Sequence, residues 1–291
     1  MVEPVRADAG WLSLREPADA AARAPGLVEE LKPDLVTDEV AVIHDLGCGA
    51  GSMARWLAGR LTGRQHWVMV DRDVELLARA QAHPPLAAAD GARVTVETRR
   101  RDITRLAPGE LDGAALVTAS AVLDMMTGEE LGRFVATCAA AGCPILIALS
   151  VTGHVELTPA DPFDHRVQEA FNAHQRREVG GRRLLGPDAL GAAVEGLTER
   201  GLEVLVRASP WRLGPSERAL SAAWLTGWLA AACEQEPGLA DEARSYAGRR
   251  LAEAAAGQLS VMVHHGDLLA RPSRRSGGRP GGRGRACVRH A

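Results

Sequence analysis

Three glycines at alternate positions, Gly47, Gly49 and Gly51, follow a short apolar run at 40–43. Glycine lets the backbone turn sharply and approach a ligand closely, because it has no Cβ. The composition of 53–58 is that of a helix start, and a helix N-terminus offers free N–H groups and a positive dipole end. The stretch therefore predicts a ligand cradle between a buried strand and a helix.

The spacing of these residues distinguishes two kinds of ligand. A nicotinamide or flavin dinucleotide binds at G-x-G-x-x-G/A, with its pyrophosphate on the helix N-terminus, and the chain fits that string only from Gly49 onwards. Read from Gly47, the third position is Ser52, and an acidic residue, Asp45, precedes the glycines. The string from Asp45 to Gly51 resembles motif I of the class I S-adenosylmethionine-dependent methyltransferases. An acidic strand end suits this cofactor, which carries an amino acid and no pyrophosphate.

Two further carboxylates each follow a predicted strand. Asp71 comes directly after the apolar run 66–70, about 20 residues beyond the glycines, where a carboxylate can accept both ribose hydroxyls. Asp102 follows the predicted strand 93–97. Either side chain alone also has the ordinary interpretation of a helix N-cap. In order after the glycines, the pair favours the methyltransferase interpretation over a dinucleotide site.

The methyltransferase resemblance implies S-adenosyl-L-methionine as cofactor and a role for several residues. It assigns Asp102 to the adenine amino group and Ile103 to the purine face. It also assigns Ser120, at the end of a predicted strand over 116–120, to the methionine portion. The predicted cofactor-binding residues are Asp45, Gly47, Cys48, Gly49, Gly51, Asp71, Arg72, Asp102, Ile103 and Ser120.

The rest of the pattern alternates short apolar runs with helical segments, which is typical of a doubly wound α/β sheet. The resemblance spans 35–268 and implies a seven-stranded, mostly parallel Rossmann-like sheet with helices on both faces. Its last strand is expected to insert antiparallel. Further predicted strands cover 144–150, 202–207 and 259–264, and predicted helices cover 73–82, 128–140 and 187–200.

Ahead of the cradle, residues 1–34 predict a helical arm made of short helices separated at Pro17. In the methyltransferases that the chain resembles, such an arm folds over the cofactor as a lid. Arg15 of the arm would then meet the cofactor carboxylate. An exposed surface arginine is the alternative.

The remainder divides into a methyltransferase domain over 35–270 and a Gly- and Arg-rich tail over 271–291 that is predicted to be disordered. Two insertions, 153–186 and 211–257, interrupt the domain and are expected to govern substrate choice, because loops at the carboxyl ends of parallel strands line the ligand crevice. The second insertion leaves the sheet at the opposite end if the sixth strand runs parallel. In the second insertion Trp224 and Trp228 share a helical face. That face predicts packing against the body of the domain or against a second copy in a homodimer.

Methyl transfer from a sulfonium is an in-line displacement, so positioning of the acceptor atom supplies most of the acceleration. An alcohol or phenol acceptor also needs a general base, most often histidine. The candidates are Asp124 in the loop after the fourth strand, His154 after the fifth, and His174 on the inward face of a predicted helix over 163–177. A helix cap is the structural alternative for Asp124, and a core or surface position for each histidine.

Composition limits the partners. The formal net charge is −3, and removing the seven arginines of 271–291 leaves about −10, which repels a polyanion. With one tyrosine and three phenylalanines, platforms for stacking bases are scarce. The loop after the fourth strand also lacks the prolines and aromatics that hold a flipped base. The sequence predicts a small-molecule substrate and no specific nucleic acid.

The five cysteines are scattered without C-x-x-C pairs, which is typical of reduced thiols in a cytoplasmic protein. No apolar run approaches the roughly 20 residues of a membrane span, so no membrane partner is predicted. No histidine and carboxylate cluster with metal-ligand spacing is visible either, and the prediction is no metal.

The sequence thus predicts methyl transfer from S-adenosyl-L-methionine to a small molecule, with oxygen the expected acceptor and nitrogen or carbon as alternatives. Two other functions stay open. One is an NAD(P)-dependent oxidoreductase that uses the same glycine-rich cradle. The other is a non-catalytic module that binds the cofactor without turnover.

Overall fold

The computed structural model describes residues 8–37, 39–107 and 109–272, without the side chain of Val179. The described helices are α1 Ala9–Ala22, α2 Pro25–Leu31, α3 Ser52–Ala58, α4 Val74–Ala82, α5 Gly128–Ala140, α6 Phe163–Gln175, α7 Ala189–Glu199, α8 Arg218–Gln235 and α9 Ala240–Ala255. The described strands are β1 Ala41–Leu46, β2 Gln65–Asp71, β3 Val94–Arg100, β4 Leu116–Ser120, β5 Ile145–Thr158, β6 Glu178–Val179, β7 Arg182–Arg183, β8 Leu202–Ala208, β9 Trp211–Leu213 and β10 Ser260–Pro272. All but the first two residues of the predicted tail lie outside the described residues.

The main sheet has the order β3-β2-β1-β4-β5-β10-β8, and β9 pairs with β10 as an added strand. Strand β1 pairs in parallel with both β2 and β4. Strand β10 inserts antiparallel between β5 and β8. The predicted Rossmann-like sheet with an antiparallel last strand is confirmed, and β9 makes it eight-stranded.

The central strands are buried on both faces because helices cover both sides of the sheet. Helices α2, α3 and α4 pack on one face, against residues such as Ile43 and Leu116. Helices α5 and α7 pack on the other face, against residues such as Leu46 and Val117. The carboxyl ends of β1, β2, β3 and β4 therefore meet at one edge, where ligands bind in open α/β sheets.

Strands β5 and β10 are much longer than the sequence pattern predicts. Beyond Ser150, burial along β5 alternates between residues, as expected of an antiparallel strand with one solvated face. The partner of this extension is the start of β10, where Ser260 pairs with Thr158. Residues 153–158, predicted as the start of an insertion, continue β5.

A third apolar cluster covers one side of this β5–β10 extension. It joins α6, α8 and α9 around Phe163, Trp228 and Tyr246, and Trp211 of β9 belongs to it. The rings of Trp224 and Trp228 stack at 5.0 Å within this chain. The two predicted insertions thus pack on each other and on the sheet, and the homodimer stays a prediction.

Helix α1 is continuous through Pro17, so the predicted break there is wrong. One ion pair spans the proline, and a second fastens the residue before it to α3. Arg15 pairs with Asp19 one turn later, and Glu16 pairs with Arg55 of α3 at 2.7 Å. None of the helices described between residues 8 and 272 is both long and apolar enough to cross a membrane.

The carboxylate of Asp267 on β10 joins three segments of the chain. It accepts hydrogen bonds from the backbone N–H groups of Ala24 and Leu149, each at 2.8 Å, and from the hydroxyl of Ser209. Leu149 has a φ of +56°, which is uncommon for a residue with a side chain. Asp267 therefore fastens the end of the arm to the point where β5 bends.

Candidate functional site

The glycine loop after β1 adopts a conformation that only glycine accommodates well. Gly47, Gly49 and Gly51 have φ values of +70°, +53° and +87°. A Cβ at Gly47 would lie 2.7 Å from Cγ1 of Val122. The N–H groups of Gly47 and Cys48 both donate to the carbonyl of Val70, which ties the loop to β2.

Asp71 at the tip of β2 holds the middle of this loop. Its Oδ2 accepts a hydrogen bond from the N–H of Gly49 at 2.9 Å, and its Oδ1 accepts from the N–H of Asp73 at 2.9 Å. Each carboxylate oxygen has a second lone pair, so Asp71 can also accept from a ligand. Arg72, the next residue, is exposed.

Asp45 is fully buried at the end of β1. Its Oδ1 accepts a hydrogen bond from the hydroxyl of Thr118 at 2.8 Å, whereas its Oδ2 has no partner among the described residues. Burial raises the pKa of Asp45 to about 6, against the opposing effects of the Thr118 hydroxyl and the Arg23 charge. This oxygen is therefore available to accept a hydrogen bond from a bound group.

Arg23, directly after α1, is the residue that sequence reasoning missed. Its side chain is buried, and Nη2 donates to the hydroxyls of Ser52 at 3.0 Å and Ser120 at 3.2 Å. Its Nε has no partner among the described residues. Burial lowers the pKa of Arg23, and nearby carboxylates, those of Asp19 and Asp45 foremost, oppose this effect. The only sequence signal is an arginine in an otherwise apolar run.

The arm lies directly over the glycine loop. Cδ1 of Leu12 is 3.5 Å from the position that a Cβ would take at Gly49. Arg15, which sequence analysis assigned to a cofactor carboxylate or to the surface, is half-buried and forms two-pronged hydrogen bonds with Asp19. Its guanidinium lies 4.9 Å from the ring centroid of Trp211. Arg23 is therefore better placed than Arg15 to meet a group in the loop.

The other predicted cofactor residues lie along the same sheet edge. Asp102 caps the short turn after β3 by accepting from the N–H of Thr104 at 3.0 Å and its hydroxyl at 2.8 Å. Ile103 reaches within 3.2 Å of the Cβ position of Gly47. Ser120 meets Arg23. Ile103 thus lies beside Gly47 and Ser120 beside Arg23, while Asp102 caps the turn after β3. The cofactor roles of these three residues stay predictions.

The three candidate bases lie in different surroundings. Asp124 sits in a turn after β4, and burial raises the pKa of its carboxyl to about 6, with the charge of Arg15 opposing. By exposed area the residue is half-buried, but protein atoms surround the carboxyl itself closely enough to raise its pKa.

The other two candidate bases, His154 and His174, interact with side chains away from the glycine loop. His174 is buried between α6 and α8, where its Nε2 lies 3.2 Å from a carboxylate oxygen of Glu234. Its Nδ1 accepts from Arg177 at 2.9 Å, and burial lowers its pKa. His154 is exposed on the β5 extension with Glu156 at 3.3 Å. Both histidines thus direct their ring nitrogens to side chains outside the glycine loop.

Comparison with known proteins bears on the choice of ligand. Residues 43–143 match a family described as a methyltransferase domain, a span that includes the glycine loop and the ends of β2, β3 and β4. No curated protein sequence matches the chain.

Among solved structures, the chain is similar to a cyclopropane synthase from Mycobacterium tuberculosis, with 12% identity, a TM-score of 0.44, and coverage of 85% of this chain and 84% of that chain. It is also similar to an S-adenosylmethionine-dependent methyltransferase from Geobacter sulfurreducens in complex with S-adenosyl-L-homocysteine. That match has 16% identity, a TM-score of 0.41, and coverage of 91% and 98%.

The family match decides between the ligands that the glycine string admits. It covers the acidic strand end, the glycine loop and both downstream carboxylates. An amino-acid cofactor also agrees with the free oxygen of Asp45 and the free N–H of Arg23, which lie buried beside the loop. The cofactor is S-adenosylmethionine, and the match over residues 43–143 confirms the predicted resemblance to S-adenosylmethionine-dependent methyltransferases.

Proposed function

We propose that this enzyme methylates an oxygen nucleophile of a small molecule, and that Arg23 and Asp45 together hold the amino acid end of the cofactor. The main support for this proposal is that two buried atoms, Nε of Arg23 and Oδ2 of Asp45, have no hydrogen-bond partner among the described residues. A guanidinium binds a carboxylate, and a carboxylate binds an ammonium. The two side chains are thus complementary to the two charges of an amino acid.

The remaining proposed cofactor residues lie along the same edge of the sheet, where each can contact a different part of the cofactor. The free second lone pairs of Asp71 suit ribose hydroxyls, and Asp102 and Ile103 suit the edge and face of adenine. Cys48 contributes a small, buried side chain whose pKa is raised well above its ordinary value by burial. A thiol in that state is a packing group rather than a nucleophile. Arg72 is proposed as an outer contact.

S-adenosylmethionine supplies an electrophilic methyl group when bound. The base that we propose is Asp124, because a carboxyl with a pKa near 6 is largely ionised at neutral pH and is still basic enough to accept a proton. Its carboxylate takes the proton of the acceptor hydroxyl as the oxygen attacks. His154 and His174 have less support, because their ring nitrogens already face Glu156 and Glu234.

The alternative acceptors are a neutral amine, which attacks through its lone pair and then loses a proton, and a carbon acid that has already lost its proton. A small molecule is favoured over nucleic acid because the chain without its tail is strongly acidic. A cytoplasmic location and a homodimer complete the proposal; the scattered thiols support the first.

Two measurements test this function. A thermal shift with S-adenosylhomocysteine and none with NAD(P)H is expected, since a ligand raises the melting temperature only of the protein that binds it. Cofactor labelled in its methyl group, incubated with panels of alcohols, phenols, amines and carbon acids, should label an alcohol or phenol. Labelling confined to amines or carbon acids would overturn the oxygen acceptor and leave the methyltransferase intact.

A further inference from the structure

Three metal-ligating side chains converge on the solvated face of the β5–β10 extension. His154 and Glu156 alternate along β5 and so point to the same side of the sheet. Met262 of β10 pairs with Glu156, and His264, two residues further along β10, shares that side. The next residue, His265, points to the opposite face, where its ring lies 5.4 Å from Trp211.

The distances among these side chains match the edges of a coordination polyhedron. Nε2 of His264 lies 2.8 Å from Oε1 of Glu156, and Nε2 of His154 lies 3.3 Å from the same oxygen. One ligand atom from each residue lies within 4.8 Å of the other two. Metal bonds of about 2.0–2.2 Å place neighbouring ligand atoms about 3 to 3.5 Å apart. Only small rotations of the side chains would seat an ion among them.

The backbone beneath the cluster is irregular and firmly held. The register of β5 and β10 shifts between Val263 and His265, so the ladder is interrupted at His264. On β5 the irregular residue is Gly153, with a φ of +79° and a carbonyl that accepts from Asn172 at 2.8 Å. A bulge of this kind redirects side chains and is typical of functional sites. Here it brings two histidines together, with ring centroids 4.6 Å apart.

We propose that His154, Glu156 and His264 form a binding site for one divalent transition-metal ion, with Zn²⁺ as the physiological class. Two neutral imidazoles and one carboxylate are the ligand types that zinc takes, and imidazole favours zinc, nickel and copper over magnesium or calcium. The ion would link β5 to β10 where the backbone ladder is interrupted. The sequence does not reveal this site because Glu156 and His264 are 108 residues apart.

The test uses the full-length chain without an affinity tag. Titration with Zn²⁺ and Ni²⁺, followed by calorimetry and thermal unfolding, should show one ion per chain and a higher melting temperature. Metal binding should weaken at least about tenfold in each of three variants, His154→Gln, His264→Gln and Glu156→Gln. Loss of a residue that only hydrogen-bonds to a metal ligand already weakens binding by about that factor, and these residues are the proposed ligands themselves. Circular dichroism of each variant checks that it is folded.

His165→Gln is the matched control, because His165 is also exposed and lies 3.5 Å from Glu169, yet no third ligand among the residues that the structure describes joins this pair. It should bind the ion as tightly as the unchanged protein. Co²⁺ tests the ligand type, because bound thiolates give an intense charge-transfer band that imidazole and carboxylate do not. Equal affinity in the His264→Gln variant, or a thiolate band at one equivalent, would overturn the site.

Discussion

Arg23 and Asp45 lie close enough for each charge to shift the pKa of the other, yet each retains one buried polar atom without a partner among the described residues. A simple structural ion pair would use those atoms. Their spare hydrogen-bonding capacity is what an amino acid bound between them would take up. Four predictions follow from this relationship and from its surroundings.

Arg23→Gln should weaken binding of S-adenosylhomocysteine by about 2 kcal/mol, the usual contribution of a hydrogen bond to a charged group. The affinity loss should be far smaller for cofactor fragments that lack the carboxylate. Isothermal calorimetry measures both. Arg166→Gln is the control, because Arg166 makes an exposed ion pair with Glu242 far along the chain from the loop. Equal losses in the two variants would contradict the role of Arg23.

Asp45→Asn should stabilise the cofactor-free protein at neutral pH while weakening cofactor binding. The folded-state pKa of Asp45, about 6, lies above its ordinary value of 3.8. Between those values the folded chain holds the extra proton, so stability falls as pH rises. Above pH 6 the buried charge costs about 3 kcal/mol, which the amide avoids while still accepting from Thr118.

Thermal unfolding of both proteins at pH 5 and pH 8 measures this effect. The variant should have its larger advantage at pH 8. A variant that is less stable than the unchanged protein at pH 8 would contradict the prediction.

Asp124→Asn should lower kcat by about 10²- to 10⁴-fold, the usual contribution of a general base, and leave cofactor affinity unchanged. In the unchanged enzyme kcat should rise with pH through about 6, because the carboxylate is active only when ionised. The rise should vanish in the variant. A variant with the same kcat, or one that keeps the pH dependence, would exclude Asp124 as the base.

Gly47→Ala should destabilise the protein more than Gly63→Ala. Both glycines have positive φ, +70° and +82°, so each substitution has a backbone cost of about 1–2 kcal/mol. Only at Gly47 would the new Cβ also clash, at 2.7 Å from Val122. Chemical denaturation measures the difference, and a double-mutant cycle with Val122→Ala should recover part of it. Equal losses at the two glycines would contradict the packing argument.

The glycine loop and its two carboxylates could be predicted because all the residues that define them are local in sequence. The sequence of the surrounding strand and turn is enough to indicate the roles of Asp45, Gly47 and Asp71. Arg23 could not be found in this way, since its partners Ser52 and Ser120 are 29 and 97 residues distant. Nothing in the sequence around Arg23 indicates that its side chain is buried.

The errors in the strands have the same origin. The second half of β5 forms against β10, more than 100 residues later, so its own sequence suggested a loop. His174 lies on the buried face of α6, as predicted, where it meets Glu234 of α8, and its role as a base stays a prediction. Pro17 stays helical because the ion pairs around it compensate for the lost backbone hydrogen bond.

One hydrogen bond of Asp267 fixes the chain directly after the N-terminal helix. Ala24 is held by this bond, so any opening of α1 would swing about that residue as a fulcrum. Leu12 lies near the other end of α1, so it would move the furthest and expose Gly49. Arg23, adjacent to Ala24, would hardly shift. The entrance to the site would thus open for an entering nucleoside, while the guanidinium of Arg23 keeps its position.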